Sequence, residues 1–223
     1  MKIELNIPDK LSDITLGQYQ RFDKIQQQFE EKTIDEVALK INIISIFCGI
    51  QKDNVRKIKG AQVEQMLDII MPMLTEKVGP LKHRFELNNK EYGFSPNLED
   101  MTFGEYVAAD TFIPKWENMH RVMGILFRPI LRRHGETYSI EEYKVSESLE
   151  FKDMPLDICF SSLFFLTSLG LDLLKNITDY LAKQPSDKQQ QKLTLNPNGG
   201  GMGRFTASLK EILEQLKISQ LSV

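Results

Sequence analysis

The apolar positions of this chain fall mostly at helical spacing, interrupted by two stretches that alternate. Residues 2 to 7 set Ile3, Leu5 and Ile7 against Lys2, Glu4 and Asn6, the pattern of a half-buried strand that Pro8 and Asp9 end. A helix is predicted from Thr15 to about Glu30. A second runs from Ile34 to Phe47, with Val37, Ile41, Ile44 and Phe47 on one face and Gly49 as its stop. Asp53 can cap a short third helix through Ile58. A fourth follows Lys59-Gly60, carries Val63, Leu67, Ile70, Met71 and Leu74, and breaks at Gly79-Pro80. The period then changes. His83 to Leu87 and Lys90 to Phe94 alternate around Asn88-Asn89, a hairpin turn pair. A lone hairpin is marginal in water, so the strand at 2 to 7 is expected to complete the sheet.

Helical spacing resumes after Thr102. A helix from Lys115 to Phe127 carries Trp116, Met119, Val122, Met123 and Leu126, and Pro129 is expected to kink or end it. Residues 132 to 150 read as polar and irregular. Asp153 can cap a long helix from Met154 to about Lys183, apolar on most sides until Leu174 and so expected at the centre of the fold. Residues 184 to 204 are rich in Gln, Lys and Gly and read as a flexible linker or loop. A last helix over Arg204 to Ser219 has Phe205, Leu209, Ile212, Leu213 and Leu216 in one stripe, opposite Lys210, Glu211, Glu214 and Lys217. That stripe either packs on its own domain or docks on another protein.

One pattern recurs. Leu11-Ser12-Asp13-Ile14-Thr15-Leu16-Gly17-Gln18-Tyr19 aligns with Leu98-Glu99-Asp100-Met101-Thr102-Phe103-Gly104-Glu105-Tyr106. In both, Thr is placed to accept from the backbone N–H three residues on. Gln18 or Glu105 at that third position can reach back to the cap's own N–H, and Ile14/Tyr19 or Met101/Tyr106 make a hydrophobic staple. A second, weaker match relates Ile46-Phe47-Cys48-Gly49-Ile50 to Leu126-Phe127-Arg128-Pro129-Ile130. Duplication and coincidence both remain open at this level. The predicted architecture is mainly α with a small antiparallel β-sheet, an α+β fold, with two pseudo-repeated strand–helix–helix units. Its organisation is a helical domain over 1–183 (half-repeats 1–80 and 83–183), a linker over 184–204 and a C-terminal amphipathic helix over 205–223.

Composition narrows the function classes. Hydrophobic residues at 41% and charged residues at 26% are ordinary globular usage. A formal charge of −3 argues against a general nucleic-acid binder. Cys48 and Cys159 lie in apolar runs, which points to buried thiols and a reducing compartment. Met1-Lys2-Ile3-Glu4-Leu5 does not read as a signal peptide. The most apolar run, Ile158 to Leu171, is shorter than the roughly 20 residues a membrane span needs.

Candidate chemistry is sparse. His83, His120 and His134 stand at no metal-ligand spacing, and the chain has no HExxH or CxxC. The Gly199 to Gly203 run lacks the Lys-Ser/Thr ending of a phosphate loop. Paired carboxylates such as Glu141-Glu142 lie in polar sequence with no convergent pocket that spacing can show. The reading is therefore no enzyme, no catalytic residue, no metal and no cofactor. Arg121, Arg128, Arg132 and Arg133 form a basic cluster with His134, read either as a surface for nucleic acid or an acidic partner or as a solvated face paired with carboxylates such as Glu117 and Glu136.

At Phe85-Glu86-Leu87-Asn88, Tyr92-Gly93-Phe94-x-Pro96-Asn97-Leu98 through Tyr106, and Trp116-Glu117-Asn118-Met119-His120, the chain resembles a group of tailed-bacteriophage proteins of the virion-assembly gene set. Tail assembly chaperones are the nearest named class. The resemblance covers 1–183 in layout and is sharp only over 83–130. No functional residue is carried over from it. It implies a protein of the host cytoplasm that shields apolar segments of the tape-measure protein, with other virion proteins or a second copy of itself as further partners. Met66, Met71 and Met73 would offer an adaptable apolar surface, although core packing is the commoner use of Met, and Phe205, Leu209, Ile212, Leu213 and Leu216 would bind a partner or occlude that groove. The alternative is a virion structural component, such as a head-to-tail connector or tail adaptor.

Overall fold

A computed structural model describes residues 6–76, 78–95 and 102–168. The expected strand at 2–7, for its residues 2–5, and the expected segments 169–183, 184–204 and 205–223 lie outside the described residues. Within them the fold is α+β, as the hydrophobic periods imply. Its elements are α1 (Leu16–Glu30), α2 (Glu36–Phe47), α3 (Lys52–Val55), α4 (Gly60–Met73), β1 (Arg84–Leu87), β2 (Lys90–Phe94), α5 (Phe103–Phe112), α6 (Met119–Leu126), β3 (Phe127–His134), β4 (Thr137–Ile140) and α7 (156–168).

Both capping boxes form. Gln18 N–H donates to Thr15 Oγ1 at 3.2 Å and Thr15 N–H donates to Gln18 Oε1 at 2.8 Å. Glu105 N–H donates to Thr102 Oγ1 at 3.3 Å and Thr102 N–H donates to Glu105 Oε2 at 2.7 Å. Each box satisfies two backbone donors that a helix start leaves orphaned. The box residues also reach across the fold, and they do so to matching places. Gln18 Nε2 donates to the carbonyl of Ile46 at 2.9 Å, at the end of α2. Glu105 Oε1 lies 3.0 Å from Arg128 Nη1, just beyond the end of α6. Ile46-Phe47-Cys48 and Leu126-Phe127-Arg128 are the segments that the second sequence match pairs. In both halves of the described chain a box residue thus reaches the segment that the second match pairs, through an amide-to-carbonyl hydrogen bond in the first and an ion pair to β3 in the second.

Several boundaries differ from the sequence reading. α2 starts at Glu36, two residues after the expected Ile34, and Asp35 caps it by accepting from Ala38 N–H at 2.7 Å. Asp53 lies inside α3 and pairs with Arg56 at 2.9 Å instead of capping it. The chain leaves α4 at Leu74, just after Pro72 and before Gly79-Pro80. Asp153 closes a 3-10 turn over Leu149–Asp153, so α7 starts at residue 156 and not at Met154.

The largest correction concerns 115–140. The expected single helix is a 3-10 turn over Trp116–Asn118 followed by α6, and the chain passes straight into strand β3 at Phe127. Pro129 does not kink a helix. It stands in β3 opposite Tyr92. Part of the stretch expected to be irregular is the β3–β4 hairpin, turned at Gly135 with φ +61°. Among the described residues the sheet is four-stranded and antiparallel in the order β1-β2-β3-β4, so β3 and β4 extend the β1–β2 hairpin into a sheet. Asn88 and Asn89 do turn the first hairpin, both at positive φ (50° and 61°) as a type I′ turn requires.

One apolar core runs through the helices and the inner face of the sheet. Tyr19, Trp116 and Phe160 pack edge to face, with ring centroids 4.8 to 5.8 Å apart. Phe127, fully buried, packs against Phe85 at 5.0 Å and Phe94 at 5.2 Å. The α7 face of Leu156, Cys159, Leu163 and Leu166 is buried in this core, as the apolar run predicts.

A third, weaker version of the repeat organises the centre. Phe151-Lys152-Asp153-Met154-Pro155-Leu156 follows the spacing of Leu11 to Leu16. The two segments pair with each other. Thr15 and Pro155 form an antiparallel bridge, Leu16 N–H donates to Met154 O at 2.9 Å, and Leu156 N–H donates to Ile14 O at 2.8 Å. Ile14, Leu16, Met154 and Leu156 are all fully buried. Each segment follows a 3-10 turn and starts a helix, so the bridge sets α1 and α7 side by side.

Candidate functional site

A largely apolar opening among the described residues is a trough over α2. That helix is apolar on most faces and packs against α1 on one side and α4 on the other. Tyr19, Phe22 and Phe29 of α1, Leu39 and Ile43 of α2, and Leu67, Met71 and Leu74 at α4 line a cleft of about 640 Å³. Tyr19, Phe22, Ile43 and Leu67 are buried and form its depth, while Phe29, Leu39, Met71 and Leu74 are half-buried along its walls. Glu36, Lys40, Glu64 and Asp68 rim it. Lys40 holds Glu36 at 2.9 Å and Glu64 at 2.8 Å, and these hydrogen bonds raise its pKa. An apolar trough with a charged rim suits the apolar face of a helix. Of the three methionines expected at such a surface, Met71 lines the cleft, whereas Met66 and Met73 are core residues.

A second opening of about 840 Å³, mixed in polarity, lies beside the first turn of α1, with Arg21, Asp23, Lys24, Lys115, Glu117 and Lys152 around it. Burial, and then the charges of Glu30 and Glu117, push the Asp23 carboxyl up to about 6. Gln27 Nε2 donates to it at 2.8 Å. Nearby, Gln20 Nε2 donates to Trp116 O at 2.7 Å and lies 3.1 Å from His120 Nδ1. Burial keeps His120 below the usual histidine range. This arrangement anchors α6 to α1.

Compared with known protein families, characterised proteins and solved structures, the chain matches none.

The candidate basic residues are distributed over two elements. Arg121, on α6, pairs with Glu147 and stands 5.1 Å over the Phe112 ring. Arg128 turns inward to Glu105, and Arg133 reaches Glu91 at 3.5 Å. Arg132, Arg133 and His134 are exposed and border a shallow depression with Thr137, Tyr138 and Ser139. Glu136 pairs with Arg84 across the sheet. Phe205, Leu209, Ile212, Leu213 and Leu216 lie outside the described residues. Burial pushes the Cys48 thiol up to about 11 and the Cys159 thiol higher still, which leaves neither as a thiolate at neutral pH. Among the described residues no three His, Cys, Asp or Glu side chains are placed to share a metal ion, and no helix is long and apolar enough to cross a membrane.

Sequence reasoning missed the cleft. Its lining residues belong to three helices, each of whose apolar faces reads on its own as ordinary core. The exception was Met71, which both the helical period and the resemblance brought forward.

Proposed function

We propose that this chain is a non-enzymatic binding protein that takes the apolar face of a helical segment of another protein into the trough over α2. Read with the resemblance to phage virion-assembly proteins, the role is that of a tail assembly chaperone in the host cytoplasm, with apolar segments of the tape-measure protein as clients. The observation that carries the reading is the cleft itself. Phe29, Leu39, Met71 and Leu74 leave apolar area half-open where three helices could have closed on it, and a charged rim surrounds it. Met71 gives one wall a side chain that adapts to different partners.

Two measurements test the proposal. Mass spectrometry of purified particles beside the infected-cell lysate should find the chain in the lysate and not in the particle. Stoichiometric presence in the particle would refute the chaperone role in favour of a connector or adaptor. The second is capture of the tape-measure protein by the full chain and by its Leu39→Glu and Met71→Glu variants. Both side chains are half-buried, so the variants should stay folded while losing capture at least tenfold. Unchanged capture would remove the cleft from the function.

A further inference from the structure

We infer that the trough over α2 is occupied, in the absence of a client, by residues 205–216 of the same chain, so that a client must displace a built-in substitute. The inference rests on the proposed reading of the trough as a helix-binding cleft and adds its resident occupant.

Three features select this occupant. The first is length. The wall that α1 gives the cleft, from Tyr19 to Phe29, is about 15 Å long at the helical rise, and the stripe from Phe205 to Leu216 is about 16 Å long as a helix. The second is reach. Residues 184–204 between the predicted helices can span about 70 Å when extended. A compact body of the described size has a radius of gyration of only about 15 Å. Even if residues 169–183 lead straight away as a helix of about 22 Å, the remaining span lets the stripe come back to any face of the domain from Ser168, the last described residue.

The third is charge. Among the described residues Glu36, Glu64 and Asp68 rim the cleft against Lys40 alone, and Lys40 is already shared by Glu36 and Glu64. Asp68 makes no ion pair among the described residues. At 100° per residue, Lys210 and Lys217 fall on one flank of the stripe, two turns and about 10 Å apart. Glu211 and Glu214 fall on the outer face. With the stripe facing the trough, a lysine flank can lie along the Glu64–Asp68 edge of α4 while the two glutamates stay in solvent. An acidic rim and a basic flank disfavour the reversed placement.

The test uses disulfide capture in the full chain. Met71→Cys is combined in turn with Leu209→Cys, Leu213→Cys and Leu216→Cys, which covers successive turns of the stripe. Cys48 and Cys159 are buried and contribute little background. Val145→Cys with Leu213→Cys is the control, since Val145 is 90% exposed and does not line the trough. The inference expects at least one Met71 pair to form an intramolecular disulfide, at a yield several-fold above control and unchanged by tenfold dilution, because a tethered segment has a millimolar effective concentration. Disulfide-linked dimers that fade on dilution would overturn it in favour of a second copy's segment. Yields at the control level for all three pairs would overturn it outright. Either failure leaves the client-capture test of the cleft intact. Loss of capture in Leu39→Glu alongside absent cross-links would mean that the trough binds clients and is not self-occupied.

Discussion

Removing the guanidinium of Arg128 should test whether its pair with Glu105 holds the start of α5 against β3. Glu105 is 2% exposed, and its Oε2 already accepts from Thr102 N–H and Oγ1–H, each at 2.7 Å. Its Oε1 faces Arg128 Nη1 at 3.0 Å, close enough for strong attraction although the angles fall short of a hydrogen bond. Arg128→Met keeps most of the side-chain volume and leaves Oε1 buried without a counter-charge. Breaking one side of a buried pair costs about 3 to 5 kcal/mol. The Arg128 side chain keeps 16% of its exposure, so water can partly compensate and the low end, about 3 kcal/mol, is expected. Adding Glu105→Gln removes the orphan charge and retains an acceptor for Thr102 N–H, as Gln18 does in the first half. The double variant should recover about 2 kcal/mol, since a neutral pair in a buried site is close to break-even. Urea denaturation with a constant m-value reads both changes. A loss below about 1 kcal/mol for Arg128→Met, or a double variant no better than the sum of the singles, would refute the reasoning.

The two glycines of the repeat should part company. A Cβ on Gly17 would stand 3.0 Å from the Lys152 carbonyl oxygen and 3.1 Å from Lys152 Cβ, so Gly17→Ala should lose about 1 kcal/mol by chemical denaturation. Gly104 faces open space apart from Thr102 Oγ1 at 4.0 Å, so Gly104→Ala should gain about 0.5 kcal/mol from helix propensity. Opposite signs are the test. For Asp23 the folded carboxyl titrates near 6 and the unfolded one near 3.8, so the folded state binds the extra proton between those values. Ionised Asp23 therefore costs stability above pH 6, and the cost fades as pH falls toward 4. Asp23→Asn should exceed the native chain in stability at pH 7.5 and lose that advantage by pH 4, as urea midpoints across that range would read. An advantage independent of pH would contradict the assignment.

What local chemistry encodes was legible in the chain. Thr15 with Gln18 and Thr102 with Glu105 form capping boxes because every atom of a box lies within four residues. Asn88-Asn89 turns the β1–β2 hairpin for the same reason. The apolar period of α7 announced its burial because a stripe that wide must be covered. Tertiary structure decided the rest. Phe127 to His134 follows an amphipathic helix without punctuation, and Pro129 reads as a helix stop. Pairing with β2 makes the segment a strand, a choice that no window of β3 contains. The bridge between Thr15 and Pro155 joins segments far apart in sequence, and it brings Lys152 to within 3.0 Å of where a Cβ on Gly17 would stand, a neighbour that Gly104 lacks. The trough over α2 belongs to no single segment. Its residues carry the same helical spacing as core residues, and only the placement of α1 and α4 on either side of α2 leaves them half-open. A sequence fixes which face of a helix is apolar; which part of that face stays uncovered depends on how the helices are set against one another.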